Sequence, residues 1–570
     1  MLPNTTSIEL PKRARRYGAK VKTGCITCKI RRVKCDEKKP NCLRCISTGR
    51  KCDGYAQNKK DFQFQALSLS QASSFRYTVP MFSGFDDNVH YLEFYHHCAG
   101  PTLSSKFDNE FWSRISLQMA QSEPAVRHAL IALGYLHKTE PGNLKHARSG
   151  FAADHEPRTL LFHYNRSVRC LVDRMAEPSY SREVGLVTCV LFICIEFLRG
   201  NYHTAFTHLR SGLKIISEWQ QGRLNGSPGS SLSVQPSLAI SRCFSGPTTM
   251  IEDKLIPMFV RVIATALLYG VSIEQVFAIS CPLPQDFRER PFMTVLEAQS
   301  SVHELRNPSI LYVTTMAKKL ILREPVTAED LQYQMHLLEC HRAWFRGLQI
   351  LEREKHLSKE DKVTASSLKV SYYATSILVA CAAEVNQMPY DEHIESFKAL
   401  NYHAKIVLDS MNLSTLTPSS PSIIHSTSSP ASSGGAMSVF SPKTSPAANF
   451  TFEISIIPSL YFTATRCRCP ITRREAVSLL ALNPPREGLW DAEQHLVVSN
   501  RVIEIEESEV DPVTGWPVET ARLWSSVIDA NMDRNGGFWV NFLSASWVEG
   551  KVVGGKSFSK SFKLRVPVFY

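Results

Sequence analysis

The sequence predicts a chain of two unlike parts: a small metal-held domain near the start, then a large all-α domain, with disordered linkers. Three observations carry this. Six cysteines between Cys25 and Cys52 fall as C-x2-C-x6-C, six residues, then C-x2-C-x6-C again. From about residue 88 the apolar residues recur with helical period, and strand-like alternation is scarce. Residues 221–237 and 412–449 are rich in Gly, Ser and Pro, a composition that cannot bury enough apolar surface to order itself.

The cysteine pattern suits zinc. A C-x2-C pair puts two thiolates on one metal, and a third Cys six residues on can reach back across a short helical turn. Tetrahedral Zn²⁺ takes four such ligands at about 2.3 Å. Two ions need eight thiolates and only six are present, so two must bridge. The repeat is two-fold, which makes its first members, Cys25 and Cys42, the natural bridges. A disulfide knot is the competing use of the same residues, but it needs an oxidising compartment, and the chain opens MLPNTTSIELPKRARR without an apolar signal core. The other ten of the 16 cysteines are scattered. Cys467-x-Cys469 and Cys189-x4-Cys194 lack ligand spacing with nearby His and read as buried core thiols. His96-His97-Cys98 reads as the end of an amphipathic helix.

Charge concentrates around the cysteines. The chain carries 65 Lys+Arg and 53 Asp+Glu, net +12. Residues 1–60 hold 17 and 4 of these, net +13, and the remainder holds 48 and 49, net −1. A basic segment ahead of a near-neutral body is the electrostatic footprint of a nucleic-acid-binding module. The run Lys12, Arg13, Arg15, Arg16 reads as a nuclear import signal or a phosphate-gripping arm.

On these residues, CITCKIRRVKCDEKKPNCLRCISTGRKC resembles the Zn(II)2Cys6 binuclear cluster of fungal transcription factors. The resemblance implies a small zinc-held binuclear cluster domain of two short helices. It implies two zinc ions per chain, one held by Cys25, Cys28, Cys35 and Cys42, the other by Cys25, Cys42, Cys45 and Cys52. The family has a proline two residues before the fourth Cys, and Pro40 stands there. It also implies double-stranded DNA as partner, a nuclear location, and a helix after Cys28 (Lys29-Ile30-Arg31-Arg32-Val33-Lys34) lying in the major groove over a CGG-like triplet. By position Arg31 and Arg32 read the bases. Lys29, Lys34, Arg44, Arg50 and Lys51 complete the DNA-binding set, with Arg44, Arg50, Lys51 and the arm gripping phosphates, which positions without specifying. Ile30 and Val33 are expected to pack against the cluster. Many family members dimerise through a coiled coil just after the cluster, but residues 56–87 show no a/d heptads.

Taken in order, the expected map is a basic arm at 1–19, the cluster domain at 20–55 and a linker at 56–87. The large all-α regulatory domain follows as 88–411, with a flexible insert at 221–237, and resumes at 450–536 after a disordered insert at 412–449; a tail occupies 537–570. Ser122-Glu123-Pro124 is expected to open a helix with Val126, Ala129, Leu130, Leu133 and Leu136 on one face. Thr327-Ala-Glu-Asp330 is a capping box opening another, with Leu331, Met335, Leu338, Phe345 and Leu348. Val184 to Leu198 is nearly all apolar, broken by Glu196; it is too short for a membrane span and reads as a buried helix. Ser/Thr-Pro pairs between Thr417 and Pro446 are candidate sites for proline-directed phosphorylation.

The body also resembles the fungal-specific transcription factor domain, on Tyr91-Leu-Glu-Phe-Tyr95, Glu123-Pro-Ala-Val-Arg-His-Ala-Leu130, Pro458-Ser-Leu-Tyr-Phe462, Pro485-Arg-Glu-Gly-Leu-Trp-Asp491 and Arg501-Val-Ile-Glu-Ile-Glu-Glu507. That implies a helical regulatory body that meets the transcription machinery or co-regulators, in a regulator of RNA polymerase II genes for metabolism or secondary metabolism. Two other readings stay open. One is a zinc-held scaffold that binds protein only. The other is nucleotide binding through Gly550-Lys-Val-Val-Gly-Gly-Lys-Ser557, which fits the phosphate-loop pattern, although FSKSFKLRVPVFY after it makes a poor helix. No catalytic motif is found, so no enzyme is expected.

Overall fold

The structure, a computed structural model, describes residues 25, 27–28, 31, 33–39, 42–49, 52, 88–103, 108–148, 158–225, 249–268, 291–411, 448–533, 535–548 and 559–565. It divides into two units, residues 1–81 and residues 82–570. In the first, the described regular structure is a helical turn at Thr27 and Cys28 and the short helix α1 (Leu43–Ile46).

The second unit is mainly helical. Its first layer contains α2 (Val89–Phe94, running on through a π-turn Tyr95–Ala99), α3 (Pro124–Thr139), α4 (Arg158–Met175), α5 (Arg182–Leu198), α6 (Tyr202–Asn225) and α7 (Ile256–Leu268). Pro124 starts α3, where its missing N–H costs nothing, and the residue before it, Glu123, is extended. All five residues expected on the α3 face are buried. Every residue of α5 from Val184 to Leu198 is buried, so this helix is the axis of the layer. Its one buried carboxylate, Glu196, accepts from Arg199 at 2.9 Å, and burial pushes its pKa up. Among the described residues no helix is long and apolar enough to cross a membrane.

A second layer is formed by α8 (Val295–Leu322), α9 (Ala328–Glu354) and α10 (Lys359–Ala380). The expected capping box is present at the start of α9, Thr327 accepting from Asp330 N–H and Asp330 from Thr327 N–H. The buried face differs from the expected one. It runs Leu337, Cys340, Trp344, Leu348, Leu351, with Leu338 and Phe345 partly buried beside it, while Leu331 and Met335 are exposed: the first two turns of α9 meet α8 and α10 through Asp330, Tyr333 and Gln334 instead.

The third layer contains α11 (Ile394–Ser410), α12 (Ile457–Arg466), α13 (Pro470–Ala481) and α14 (Ala492–Glu506), packed with α10 around Phe397, Leu400, Ile457 and Leu460. The stretch Arg486 to Asp491 joins the layers. Strands β1 (Phe450–Thr451) and β2 (Arg486–Glu487) pair in parallel, and Arg486 donates to the Leu198 carbonyl at 2.9 Å, at the end of α5. The buried Glu487 carboxylate accepts three N–H groups at the start of α12, from Ser455, Ile456 and Ile457 at 2.8, 2.9 and 3.2 Å. Asp491 caps α14 through Gln494 N–H at 3.0 Å and also accepts Leu144 N–H at 2.8 Å.

Three boundaries differ from the expected map. A three-stranded antiparallel sheet, β3 (Leu523–Met532), β4 (Gly537–Ser544) and β5 (Ser559–Arg565) in the order β3-β4-β5, lies across the end of the span expected to be helical and the tail. On β4, Phe538, Val540 and Phe542 are buried against Val498 and Val502 of α14 while Trp539 is 49% exposed, the two-residue period of a half-buried strand. Helix α6 continues through 221–225, the first residues of the expected flexible insert; residues 226–237 lie outside the described residues. Ala448, at the end of the other expected insert, is buried and donates to the His137 carbonyl at 2.9 Å; residues 412–447 lie outside the described residues.

Candidate metal centre and nucleic-acid interface

The two halves of the cysteine segment fold alike. Cys28 N–H donates to Cys25 Sγ and Cys45 N–H to Cys42 Sγ, both at 3.3 Å, because a C-x2-C pair closes a turn over its own first sulfur. Cys25 N–H donates to Cys35 Sγ at 3.4 Å, and Cys42 N–H to Cys52 Sγ at 3.5 Å, so the third sulfur of each half returns to the first residue of the same half. The repeated spacing is thus a repeated geometry. Helix α1 is anchored by Asp36, whose carboxylate accepts Leu43 N–H and Arg44 N–H, each at 3.0 Å. The Arg44 and Leu43 N–H bonds hold this carboxyl below the usual carboxylate range. Asp36 is not among the residues expected to matter; an Asp just after the third cysteine, seven residues ahead of a helix start, is the signal for it.

The sulfurs converge. Cys25, Cys28, Cys35 and Cys42 lie within 4.8 Å of one another, and so do Cys25, Cys42, Cys45 and Cys52. Cys25 and Cys42 belong to both sets and stand 3.5 Å apart. Cys28 to Cys42 is 3.7 Å and Cys25 to Cys45 is 3.8 Å. A tetrahedron with Zn–S bonds of about 2.3 Å has an S–S edge of about 3.8 Å, so the donor sets have the right size for zinc. A disulfide needs about 2.05 Å, and none joins any of the fourteen described cysteines. Burial pushes the Cys25 thiol up to about 12 and raises Cys28 and Cys42 as well. Such a set resists ionisation without a cation, and a bound divalent ion reverses that by stabilising the thiolates. The ions bound there would lock both halves onto the two shared sulfurs, while backbone N–H groups and Asp36 fix the loops around them.

Of the expected DNA contacts, three lie within the described residues. Lys34 and Arg44 are exposed. Arg31 is half-buried, and its Nη1 donates to Thr48 Oγ1 at 3.2 Å, tying the first half to the second. Val33 packs against the cysteines as expected. Lys29, Ile30, Arg32, Pro40, Arg50, Lys51 and the arm Lys12, Arg13, Arg15 and Arg16 lie outside the described residues. Elsewhere Cys189, Cys194 and Cys467 are buried core thiols. The phosphate-loop match at 550–557 also lies outside the described residues, but the next described element is β5, paired antiparallel to β4, where a phosphate loop requires a helix.

Comparison with known proteins agrees with this geometry. Residues 23–61 match the fungal Zn(2)-Cys(6) binuclear cluster domain, and residues 90–261 match the fungal specific transcription factor domain. The chain is similar to the aspercryptin biosynthesis cluster-specific transcription regulator atnN of Emericella nidulans, 26% identical over 604 residues, which cover 88% of this chain and 90% of that protein. It is similar to the transcription regulator lscL of Purpureocillium lilacinum, 30% identical over 34% of this chain and 48% of the other. A third relative, the transcriptional regulatory protein moc3 of Schizosaccharomyces pombe, is 45% identical over 62 residues, 11% of this chain and 12% of the other. No solved structure matches. The chain carries a match to each of the two domains that its sequence resembles, and the relatives it is similar to are named as transcription regulators.

Proposed function

We propose that this protein is a zinc-dependent, sequence-specific DNA-binding regulator of transcription by RNA polymerase II. It acts in the nucleus and reads CGG-like triplets in the major groove. The observation that carries the reading is the pair of four-sulfur sets sharing Cys25 and Cys42 inside a segment of net charge +13. Two zinc ions with six thiolates leave about −2, which Arg31, Lys34 and Arg44 beside the ligands offset. The metal supplies the folding energy of a segment with almost no apolar core. The chain then does the reading: Arg31 and Arg32 address base edges, Arg44, Arg50, Lys51 and the arm hold the phosphates, and Lys29 and Lys34 complete the DNA-binding set. Arg suits guanine because its fork donates to O6 and N7 together. The near-neutral helical body meets co-regulators. The relative atnN is named for control of one biosynthetic gene cluster, and the same kind of target, a cluster of secondary-metabolite genes, is proposed here.

A titration against matched and scrambled CGG sites at several salt concentrations tests the assignment. Arg32→Ala is expected to cost about 1–3 kcal/mol on the matched site and to flatten the preference for it. Lys51→Ala is expected to weaken both sites alike and to lower the salt slope by about one. If Arg31→Ala and Arg32→Ala each leave the matched-to-scrambled ratio untouched, the reading helix is misassigned. A protein-only scaffold would show no salt-dependent DNA affinity at all.

A further inference from the structure

The helical body encloses a cavity of about 240 Å³ that nothing in the DNA-binding reading uses. It opens where α8, α10, α12, α14 and β3 meet. Part of the lining is apolar, with Ile310, Leu378, Phe462 and Trp490 among its residues. The opposite character comes from two guanidinium groups, Arg306 of α8 and Arg466 of α12, together with several hydroxyls. Among the described residues, no Asp or Glu lines it.

Arg306 is the telling residue. It is only 8% exposed, its Nε is buried without a hydrogen-bond partner, and no described carboxylate comes within ion-pair distance of it. The carboxylate that acts on it through space, Glu453, stands 3.5 Å from His303 and is shared with Arg261 as well. Arg261 in turn pairs with Asp108 at 3.2 Å. Burial lowers Arg306 to about 10, so it is still a cation at neutral pH. Arg466 spends its donors on neutral acceptors, Gln387 Oε1 at 2.6 Å, the Leu523 carbonyl at 3.1 Å and the Trp524 carbonyl. The cavity therefore offers positive charge that its own lining does not neutralise. Buried charge without a partner is expensive, and a guanidinium matches a carboxylate in a two-pronged fit.

We propose that this cavity is a binding site for a small organic monocarboxylate with an apolar body, its carboxylate on Arg306 and its body against apolar lining residues such as Phe462 and Trp490. The size fits, since pockets for drug-sized ligands run about 300–1,000 Å³ and this one is smaller. Tyr461 of α12 and Ser526 of β3 both line the cavity and are joined by a 2.6 Å hydrogen bond, so an occupant would touch both the bundle and the sheet.

The test uses the full chain without DNA, so its outcome is independent of whether the cysteine domain reads CGG sites. Benzoate and isovalerate serve as probes, benzamide as the uncharged analogue, and phosphate and chloride as inorganic anions. Calorimetric titration and thermal unfolding are read together. At least one of the two carboxylates is expected to bind one per chain and to raise the unfolding midpoint. Benzamide is expected to bind at least about tenfold more weakly, as is benzoate to the Arg306→Met chain. Ala374→Phe, which fills the cavity from α10 and leaves both arginines in place, is expected to abolish binding; it and the benzamide comparison stand even where Arg306→Met does not fold. The proposal is overturned if neither carboxylate binds, if benzamide matches benzoate, if phosphate or chloride gives the same response, or if Ala374→Phe binds as the unaltered chain does.

Discussion

Treating the protein with a zinc chelator is expected to unfold the segment from Cys25 to Cys52 and to abolish DNA binding, while the helical body stays folded. Among the described residues, the segment's buried core consists of cysteines, with Val33 packed against them. Outside the sulfur shell the described scaffold is α1, one helical turn, and the hydrogen bonds of Asp36 and Arg31. Nothing there replaces the stabilisation of structural zinc, which is about 10–16 kcal/mol for zinc-finger peptides near neutral pH. Circular dichroism of the full chain should change little, because its helix is in the body, whereas DNA affinity should fall to background and return on adding zinc. Unchanged binding to a matched site after complete metal removal would contradict the account.

The largest expected effect in the body comes from Glu506. Its carboxylate is fully buried between Arg468 and Arg473, accepting from them at 2.9 and 2.8 Å, and it also accepts Leu523 N–H at 2.9 Å. One side chain therefore ties α13 and the segment before it, α14 and the first residue of β3 together. Burial alone would push the carboxyl up; Arg468 and Arg473 outweigh it and hold it below its usual value. Glu506→Ala leaves the buried Arg468 without its anion and Arg473 with the more distant Glu507 at 3.8 Å, and is expected to cost about 3–5 kcal/mol, read as a lower urea midpoint for the body. The depressed pKa fixes the sign with pH. This stability is fully present above the unfolded carboxylate value of about 4.3 and is lost as pH falls through the folded one. Glu506→Gln should lack that acid-side dependence. An unchanged midpoint in Glu506→Ala would mean that the pair contributes nothing.

How much of the fold and the site is legible in the sequence depends on how local each signal is. The cysteine spacing is short-range, and the two halves fold as the repeat implies. The capping box at Thr327 and Asp330 is equally local and is formed. The face of α9 differs from its expectation because periodicity shows that a helix is amphipathic without showing which residues meet its neighbours: Leu331 and Met335 fit the pattern but are exposed, while Tyr333 and Gln334 between them contact α8 and α10. The sheet is not expected from the sequence although its signal is present. Phe538, Val540 and Phe542 alternate with polar or exposed residues just after a turn in which Gly536 takes a φ of 76° and donates to Asp533. The cavity around Arg306 has no local signal, since its lining comes from residues 268 to 526 and depends on a tertiary fold.

The most direct test of the account is the zinc content of the folded chain, measured by elemental analysis against protein concentration and by native mass spectrometry. Two donor sets that share Cys25 and Cys42 predict two zinc ions per chain. One zinc ion per folded chain would contradict the shared-sulfur cluster on which the proposed function rests.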